Sequence, residues 1–166
     1  MLAINFELNH FKKMLRLTLR QATLEDSLDL FNWRNDPVTR EMSRNTEPIP
    51  WESHEKWYEK ALADSRKKIL LAENEEGKIG MVRFDYQNSH SAEVNININP
   101  IFRGKGYGQL VLDNGCKYGF SKLGLNRIYA EIKKTNIPSI KLFERAGFIY
   151  LPEKEELLRM ELLKSR

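Results

Sequence analysis

The chain has 166 residues, 41% apolar and 30% charged, the balance of one globular domain and not of a collagenous, low-complexity or disordered chain. Its single cysteine, Cys116, excludes an intrachain disulfide and a thiolate zinc site, and three scattered histidines build no metal centre. The 27 basic and 23 acidic residues leave a net charge of +4, which suits anionic small molecules, but no basic stretch interleaved with aromatics marks a nucleic-acid binder. No apolar run approaches the ~20 residues that span a bilayer. Residues 1–13 lack the apolar segment and cleavage site of a signal peptide, so the reading expects a cytoplasmic protein.

A compositional seam near Met14 separates an N-terminal extension, residues 1–13, from one domain, residues 14–166. Residues 15–20 alternate apolar and polar, which predicts a strand. Thr23 is suited to N-cap a helix with acids in its first turn. That helix is expected to bury Leu24, Leu28, Phe31 and Trp33. Residues 37–50, with Pro37, Pro48 and Pro50, read as a loop, and Trp51–Asp64 as a second helix with aromatics at helical spacing.

The period then switches to two. Residues 68–73, 79–86 and 92–99 predict three strands joined by short polar turns. A helix over 108–122, a strand over 127–132 and a helix from Pro138 to Arg145 follow, the last stopped by Gly147. Residues 148–151 and 157–163 predict a closing antiparallel pair. The order βααβββαβαββ implies a mixed sheet with helices on its faces, an α+β domain.

The strongest local signal is Arg103-Gly104-Lys105-Gly106-Tyr107-Gly108, between a strand ending at Pro100 and a helix. Glycines there let backbone approach a ligand, and amides at a helix N-terminus favour an anion such as a pyrophosphate. A Walker A loop is excluded because Gly-Lys-Ser/Thr is absent. A dinucleotide fingerprint fails because Gln109 stands where its third glycine belongs, although Glu131 lies at roughly the spacing of a ribose-binding acid. A turn without a ligand is the plain alternative.

Arg103-x-x-Gly106-x-Gly108 after Pro100 resembles the acyl-CoA pyrophosphate loop of the GNAT acetyltransferases. Asn136, Ser139, Leu142, Gly147 and Phe148 match that family's second block. The resemblance covers residues 15–163 and implies a GNAT-like fold using acetyl-CoA and no metal. It implies that the fourth and fifth strands splay, and that the pantetheine arm pairs with Ile96, Asn97 and Ile98, where a backbone N–H stabilises the oxyanion. It places the pyrophosphate on Gly104–Gly108, with charge from Arg103 and Lys105, and gives Asn136 and Phe143 to the coenzyme.

In the resembling ribosomal-protein N-acetyltransferases, the position of Glu131 carries the general base. The alternative is a solvated carboxylate paired with Lys133 or Arg127. Glu93 is a second candidate, sharing a strand face with Asn95, Asn97 and Asn99. Phe143 stands where many family members put a tyrosine that protonates the leaving thiolate. Tyr107, Tyr129 or Tyr150 is a substitute acid, or none is needed.

For the acceptor, residues 31–37 and 51–85 look like the N-acetyltransferases that modify UDP-4-amino-4,6-dideoxy sugars in pseudaminic acid synthesis. The resemblance implies a nucleotide sugar held by Trp33, Arg34, Arg44, His54 and Trp57, where arginines meet the diphosphate and tryptophans stack on rings. Structural roles compete: tryptophans as core, Arg34 as partner of Asp26 or Asp36, and His54 as a half-buried helix residue. Alternative acceptors are a protein N-terminus, a polyamine or an antibiotic. A non-catalytic acyl-CoA-binding domain is a further alternative. A homodimer is left open.

Overall fold

Leu70 and Ala72 pack into one apolar layer and Ile69 and Leu71 into another, because successive side chains of a strand point to opposite faces. Their strand, β2 (Lys67–Asn74), lies inside a sheet that is therefore covered on both sides. The computed structural model describes residues 16–152 and 156–165. The expected extension, residues 1–13, lies outside them.

Among the described residues seven strands form one mixed sheet in the order β1-β2-β3-β4-β5-β7-β6. They are β1 (Thr18–Gln21), β2, β3 (Gly77–Asn88), β4 (Ser91–Ile98), β5 (Arg127–Lys133), β6 (Ile149–Tyr150) and β7 (Leu157–Leu163). Every pairing is antiparallel except that of β4 with β5. The expected α+β order βααβββαβαββ is present, with one addition: the segment read as a loop contains a short helix. The helices are α1 (Ser27–Asn35), α2 (Pro37–Glu41), α3 (Trp51–Ala63), α4 (Tyr107–Ser121) and α5 (Ile137–Arg145). The extra helix α2 starts because Asp36 caps it, accepting from the Thr39 N–H at 3.0 Å, with Pro37 in its first turn.

Helices α4 and α5 contribute Val111, Leu112, Ile140 and Phe143 to the larger core, against Val82, Phe84, Val94, Ile128 and Ala130 of the sheet. Helix α4 approaches closely because Gly115 and Gly119 face the sheet. A Cβ on Gly115 would stand 2.9 Å from a methyl of Val82.

The smaller core joins α1 and α3 to the opposite face through Leu30, Trp33, Tyr58, Ala61, Ile69 and Leu71. It covers β2 and leaves much of the face of β3, β4 and β5 open. Here one expectation is corrected. Leu24 and Leu28 are exposed and Leu30 takes the buried side in their place, while Trp33 is buried as expected. The chain enters α1 through a 3-10 turn, Leu24–Asp26, whose tighter winding rotates the apolar stripe away from its α-helical phase. That turn also buries Asp26, which accepts a two-pronged bond from Arg20 (2.7 and 2.9 Å) and an ion pair from Lys78 at 2.8 Å.

Candidate active site

Strands β4 and β5 are parallel neighbours for only three residue pairs, Ser91 with Arg127, Ala92 with Ile128 and Glu93 with Tyr129. Beyond these they diverge, while β4 stays paired to β3 as far as Ile98 and β5 to β7 as far as Lys133. The resulting V opens into a cleft of about 540 Å³. Ile96 and Asn97 of β4, Asn136 and Phe143 of α5, and Glu93 and Glu131 all line it. The sequence-predicted residues from three separate segments thus share one space. The Ile98 side chain lies near Gly108 at the start of α4, and the part of Ile98 that the resemblance assigns to the coenzyme is its backbone.

Alternation along the strands sets the chemistry of the open face. Met81, Arg83 and Asp85 of β3 lie across from Asn97, Asn95 and Glu93 of β4. Glu131 and Lys133 project from the same side of β5, since Ile128, Ala130 and Ile132 point into the core. Arg83 and Asp85 escaped the sequence reading; the alternation that revealed the asparagines one strand over was the available signal. Asn99 does not join them. It caps the turn after β4, accepting from the Ile101 N–H and donating to the Lys78 carbonyl.

The two candidate bases are held by one cation. Arg44, on the segment between α2 and α3, donates from a single nitrogen, Nη2, to Glu93 Oε1 at 3.0 Å and to Glu131 Oε2 at 2.5 Å. Glu131 also faces Arg159 at 3.5 Å, its register partner on β7. Its partners are therefore arginines brought in from the acceptor wall and β7, not Lys133 or Arg127 beside it in sequence. Lys133 instead donates to the Glu41 carbonyl, and Arg127 pairs with Glu161. Burial pushes the Glu93 carboxyl above its ordinary range. Arg44 and Arg83 oppose that rise, while the charges of Glu131 and Asp85 add to it. A carboxylate so poised is a suitable proton acceptor.

The glycine loop has the geometry an anion needs. Gly104 and Gly106 adopt left-handed φ values of +72° and +84°, and Gly106 is the N-cap of α4. A Cβ on Gly104 would meet nothing within 4 Å, so the loop surface there is open to a ligand. The flanking side chains are less free. Arg103 is bound to Asp36 at 2.6 Å and to Thr39, which ties the loop to α2. Lys105 lies over the Phe102 ring. Tyr107 is fully buried and donates to Glu76 while accepting from Asn74, so its hydroxyl faces the β2–β3 turn and not the cleft. Tyr129 accepts from Arg127, and Tyr150 donates to Glu144. None of the three tyrosines lines the cleft. Phe143 does, packed edge-on against Phe148 at 4.8 Å. Asn136 N-caps α5 by accepting from the Ser139 N–H and lines the cleft.

On the acceptor side, Arg34, Arg44, His54 and Trp57 line the cleft. Trp57 is 39% exposed, with the Arg83 guanidinium over its ring. Trp33 is placed elsewhere. It is 5% exposed in the smaller core, because the 3-10 start of α1 turns it inward. Arg34 pairs with neither Asp26 nor Asp36; it donates to the Asn45 carbonyl and fastens the segment that carries Arg44. His54 donates from Nε2 to the Ser27 carbonyl at 3.0 Å and stacks on Tyr58. Burial lowers its pKa, so it is neutral at neutral pH.

Comparison with known proteins agrees with this geometry. Residues 16–149 match the acetyltransferase (GNAT) domain family. The chain is 29% identical to acetyltransferase PseH of Campylobacter jejuni over 82% of this chain and 85% of that protein. It is 34% identical to the uncharacterised N-acetyltransferase p20 of Bacillus licheniformis, over 87% and 83% respectively. The crystal structure of Vibrio cholerae spermidine N-acetyltransferase in complex with CoA and spermine superposes with a TM-score of 0.80, covering 89% of this chain and 95% of that one at 25% identity. C. jejuni PseH in complex with acetyl coenzyme A gives 0.73, over 90% and 99%, also at 25% identity. With the splayed β4 and β5, the positive-φ glycine loop and a match over most of its length, this chain belongs to the GNAT acetyltransferase family.

Proposed function

We propose that this acetyl-CoA-dependent N-acetyltransferase acetylates the 4-amino group of a UDP-linked 4-amino-4,6-dideoxy sugar. One observation carries the acceptor reading: the cleft lining joins Arg34, Arg44, Arg83 and Lys133 to Trp57, whose ring meets the Arg83 guanidinium. Guanidinium groups recognise a diphosphate, and an exposed indole recognises a planar base or sugar face. The resemblance of residues 31–37 and 51–85 to the nucleotide-sugar enzymes supports the same reading.

The coenzyme supplies an activated acetyl thioester. Its pantetheine arm fits the V beside Ile96 and Asn97, and its pyrophosphate fits the amides of Gly104 to Gly108 at the start of α4. The acceptor nitrogen must arrive without its extra proton. Glu131 or Glu93 takes that proton, directly or through one water, from an amine in the V. The neutral amine adds to the thioester carbon to give a tetrahedral oxyanion; as this collapses, the C–S bond breaks, the thiolate leaves past Phe143, and the proton released from the acylated nitrogen passes through water to solvent or to that thiolate. Phe143 has no proton to give, and a thiol is acidic enough to leave as its anion, with a pKa in the range of a cysteine, about 8.5.

The test is thiol release from acetyl-CoA against a UDP-4-amino-4,6-dideoxy sugar, spermidine, an N-terminal peptide and an aminoglycoside. Selective turnover of the nucleotide sugar is expected, and its absence alongside turnover of another amine overturns the acceptor. A polyamine is the second reading, because Asp85, Glu93 and Glu131 gather three carboxylates on one cleft wall.

A further inference from the structure

Arg44 lies between Glu93 and Glu131, the two carboxylates that β4 and β5 project into the V among the described residues. It reaches Glu93 across 49 residues of sequence and Glu131 across 87, and it uses one nitrogen for both. Its own segment is held in place independently. The Asn35 side chain donates to the Ile49 carbonyl and accepts from the Ile49 N–H, Arg34 holds the Asn45 carbonyl, and Arg40 holds the Thr46 carbonyl. The segment therefore does not need the Arg44 ion pairs to stay closed. The guanidinium remains 56% exposed at the cleft mouth, beside Arg34 and Trp57.

We propose that Arg44 is a positioning residue that occupies the acceptor-ammonium position in the resting enzyme and moves to an anionic group of the acceptor when the correct substrate enters. One guanidinium has two alternative sets of partners. With no acceptor bound it neutralises Glu93 and Glu131. An incoming diphosphate offers it a bidentate partner of higher charge. As Arg44 transfers at the moment an ammonium enters, Glu93 loses its counter-ion and Glu131 keeps only Arg159 at 3.5 Å, so their affinity for the ammonium's proton rises. A polycation without an anionic group must instead compete with a tethered cation for the same oxygens, which makes it a poorer substrate. Arg44 thus selects against polyamines in a cleft whose carboxylates would otherwise attract them.

Other charges facing the carboxylates do not fill this role. Arg83 is bound to Asp85 at 2.9 Å, and Lys67 holds the other oxygen of Asp85 at 2.7 Å. Arg159 touches Glu131 from β7 and lies outside the cleft lining. Lys133 is spent on the Glu41 carbonyl.

The inference rests on the nucleotide-sugar reading for its anion and is tested so that the two can fail separately. Wild type, Arg44→Gln and Arg44→Lys are compared with the UDP-amino sugar and with spermidine, recording kcat/KM against pH, with acetyl-CoA affinity as the folding control. Arg44→Gln is expected to lose at least tenfold on the nucleotide sugar and to gain severalfold on spermidine. The acid limb of its profile is expected to move to higher pH with either amine. Each amine's own ionisation is common to both enzymes, so that movement belongs to the carboxylates. Arg44→Lys keeps a cation between them and is expected to restore the wild-type limb. Should wild type turn over spermidine alone, the acceptor reading falls, and a gain by Arg44→Gln on spermidine with the moved limb still upholds the occupant role. An unmoved limb and an unchanged ratio between the two amines overturn the inference, whichever acceptor wild type prefers.

Discussion

Arg103 of the glycine loop is bonded to Asp36 at 2.6 Å, so the loop before α4 and the cap of α2 share an ion pair across 67 residues of sequence. Burial works against ionisation of Asp36, but the Arg103 and Thr39 bonds outweigh it and hold its carboxyl below the usual range. Asp36→Ala removes both the cap of α2 and the anchor of the loop. The cap alone is worth about 1 kcal/mol of stability. Loss of the charge-assisted bond is expected to raise KM for acetyl-CoA about tenfold, while kcat stays nearly constant; steady-state kinetics with varied coenzyme checks this.

Gly106→Glu places a side chain on a residue at φ +84° and adds a negative charge at the N-cap of α4. The left-handed conformation alone costs an ordinary residue about 1–2 kcal/mol. Acetyl-CoA affinity by calorimetry is expected to fall more than about a hundredfold, or 2.7 kcal/mol. Gly106→Ala carries the strain without the charge and is expected to lose much less. Equal losses in the two variants would remove the pyrophosphate from this loop.

A proton acceptor works only when ionised. Because burial raises Glu93 above the ordinary carboxyl value of about 4.3, a Glu93-dependent rate falls as pH drops through that raised value and levels off above it. Glu93→Gln is then expected to remove the carboxylate's contribution to the acid limb and leave only that of the amine's own ionisation. Glu131→Gln is expected to lower kcat about a hundredfold, the usual worth of a general base, with coenzyme affinity preserved. The two pH profiles, measured side by side, say which carboxylate carries the proton.

Two tryptophans separate packing from recognition. Trp33→Ala empties a site in the smaller core and is expected to cost about 3–5 kcal/mol of stability. Trp57→Ala, at the cleft surface, is expected to leave the melting temperature nearly unchanged and to raise acceptor KM about tenfold, the upper worth of a ring-stacking contact.

Asp26 is fully buried between Arg20 and Lys78. The Arg20 guanidinium beside it, helped by Lys78 and the Thr23 N–H, holds its carboxyl far below the usual range. The unfolded chain therefore binds this proton more readily than the folded one. The stabilisation is complete above the unfolded value of about 3.9 and is lost as pH falls below it. Asp26→Asn is expected to cost about 3 kcal/mol, the low end for breaking a buried pair, because both cations reach solvent. Urea unfolding at pH 7 and pH 3 should show that difference shrinking at the lower pH.

Most elements were legible because period two and period 3.6 are local properties of the chain. So was the glycine loop, whose composition alone implies backbone amides without side chains in the way. The phase of α1 was not. Its helical spacing is compatible with more than one buried stripe, and the 3-10 turn at Leu24–Asp26 that chooses between them leaves no periodic trace. The Arg44 contacts were hidden for another reason. Glu93, Glu131 and Arg44 were each visible as chemistry, but their meeting depends on the register of β4 on β5 and on where α2 returns the chain. Trp33 and Trp57 look alike in sequence, and only the packing of α1 and α3 on β2 tells which one is spent on the core.

The early end of pairing between β4 and β5 has an energetic consequence. Past Glu93 and Tyr129 the protein keeps an interior sheet edge whose peptide groups lack a neighbouring strand on one side. The pantetheine arm carries amides of its own and can serve as that missing strand, as peptides do when they augment an open edge. Coenzyme binding would then complete the fold as well as supply the reactant. The liganded protein would gain stability by mass action, about 2.7 kcal/mol at a hundred times the dissociation constant.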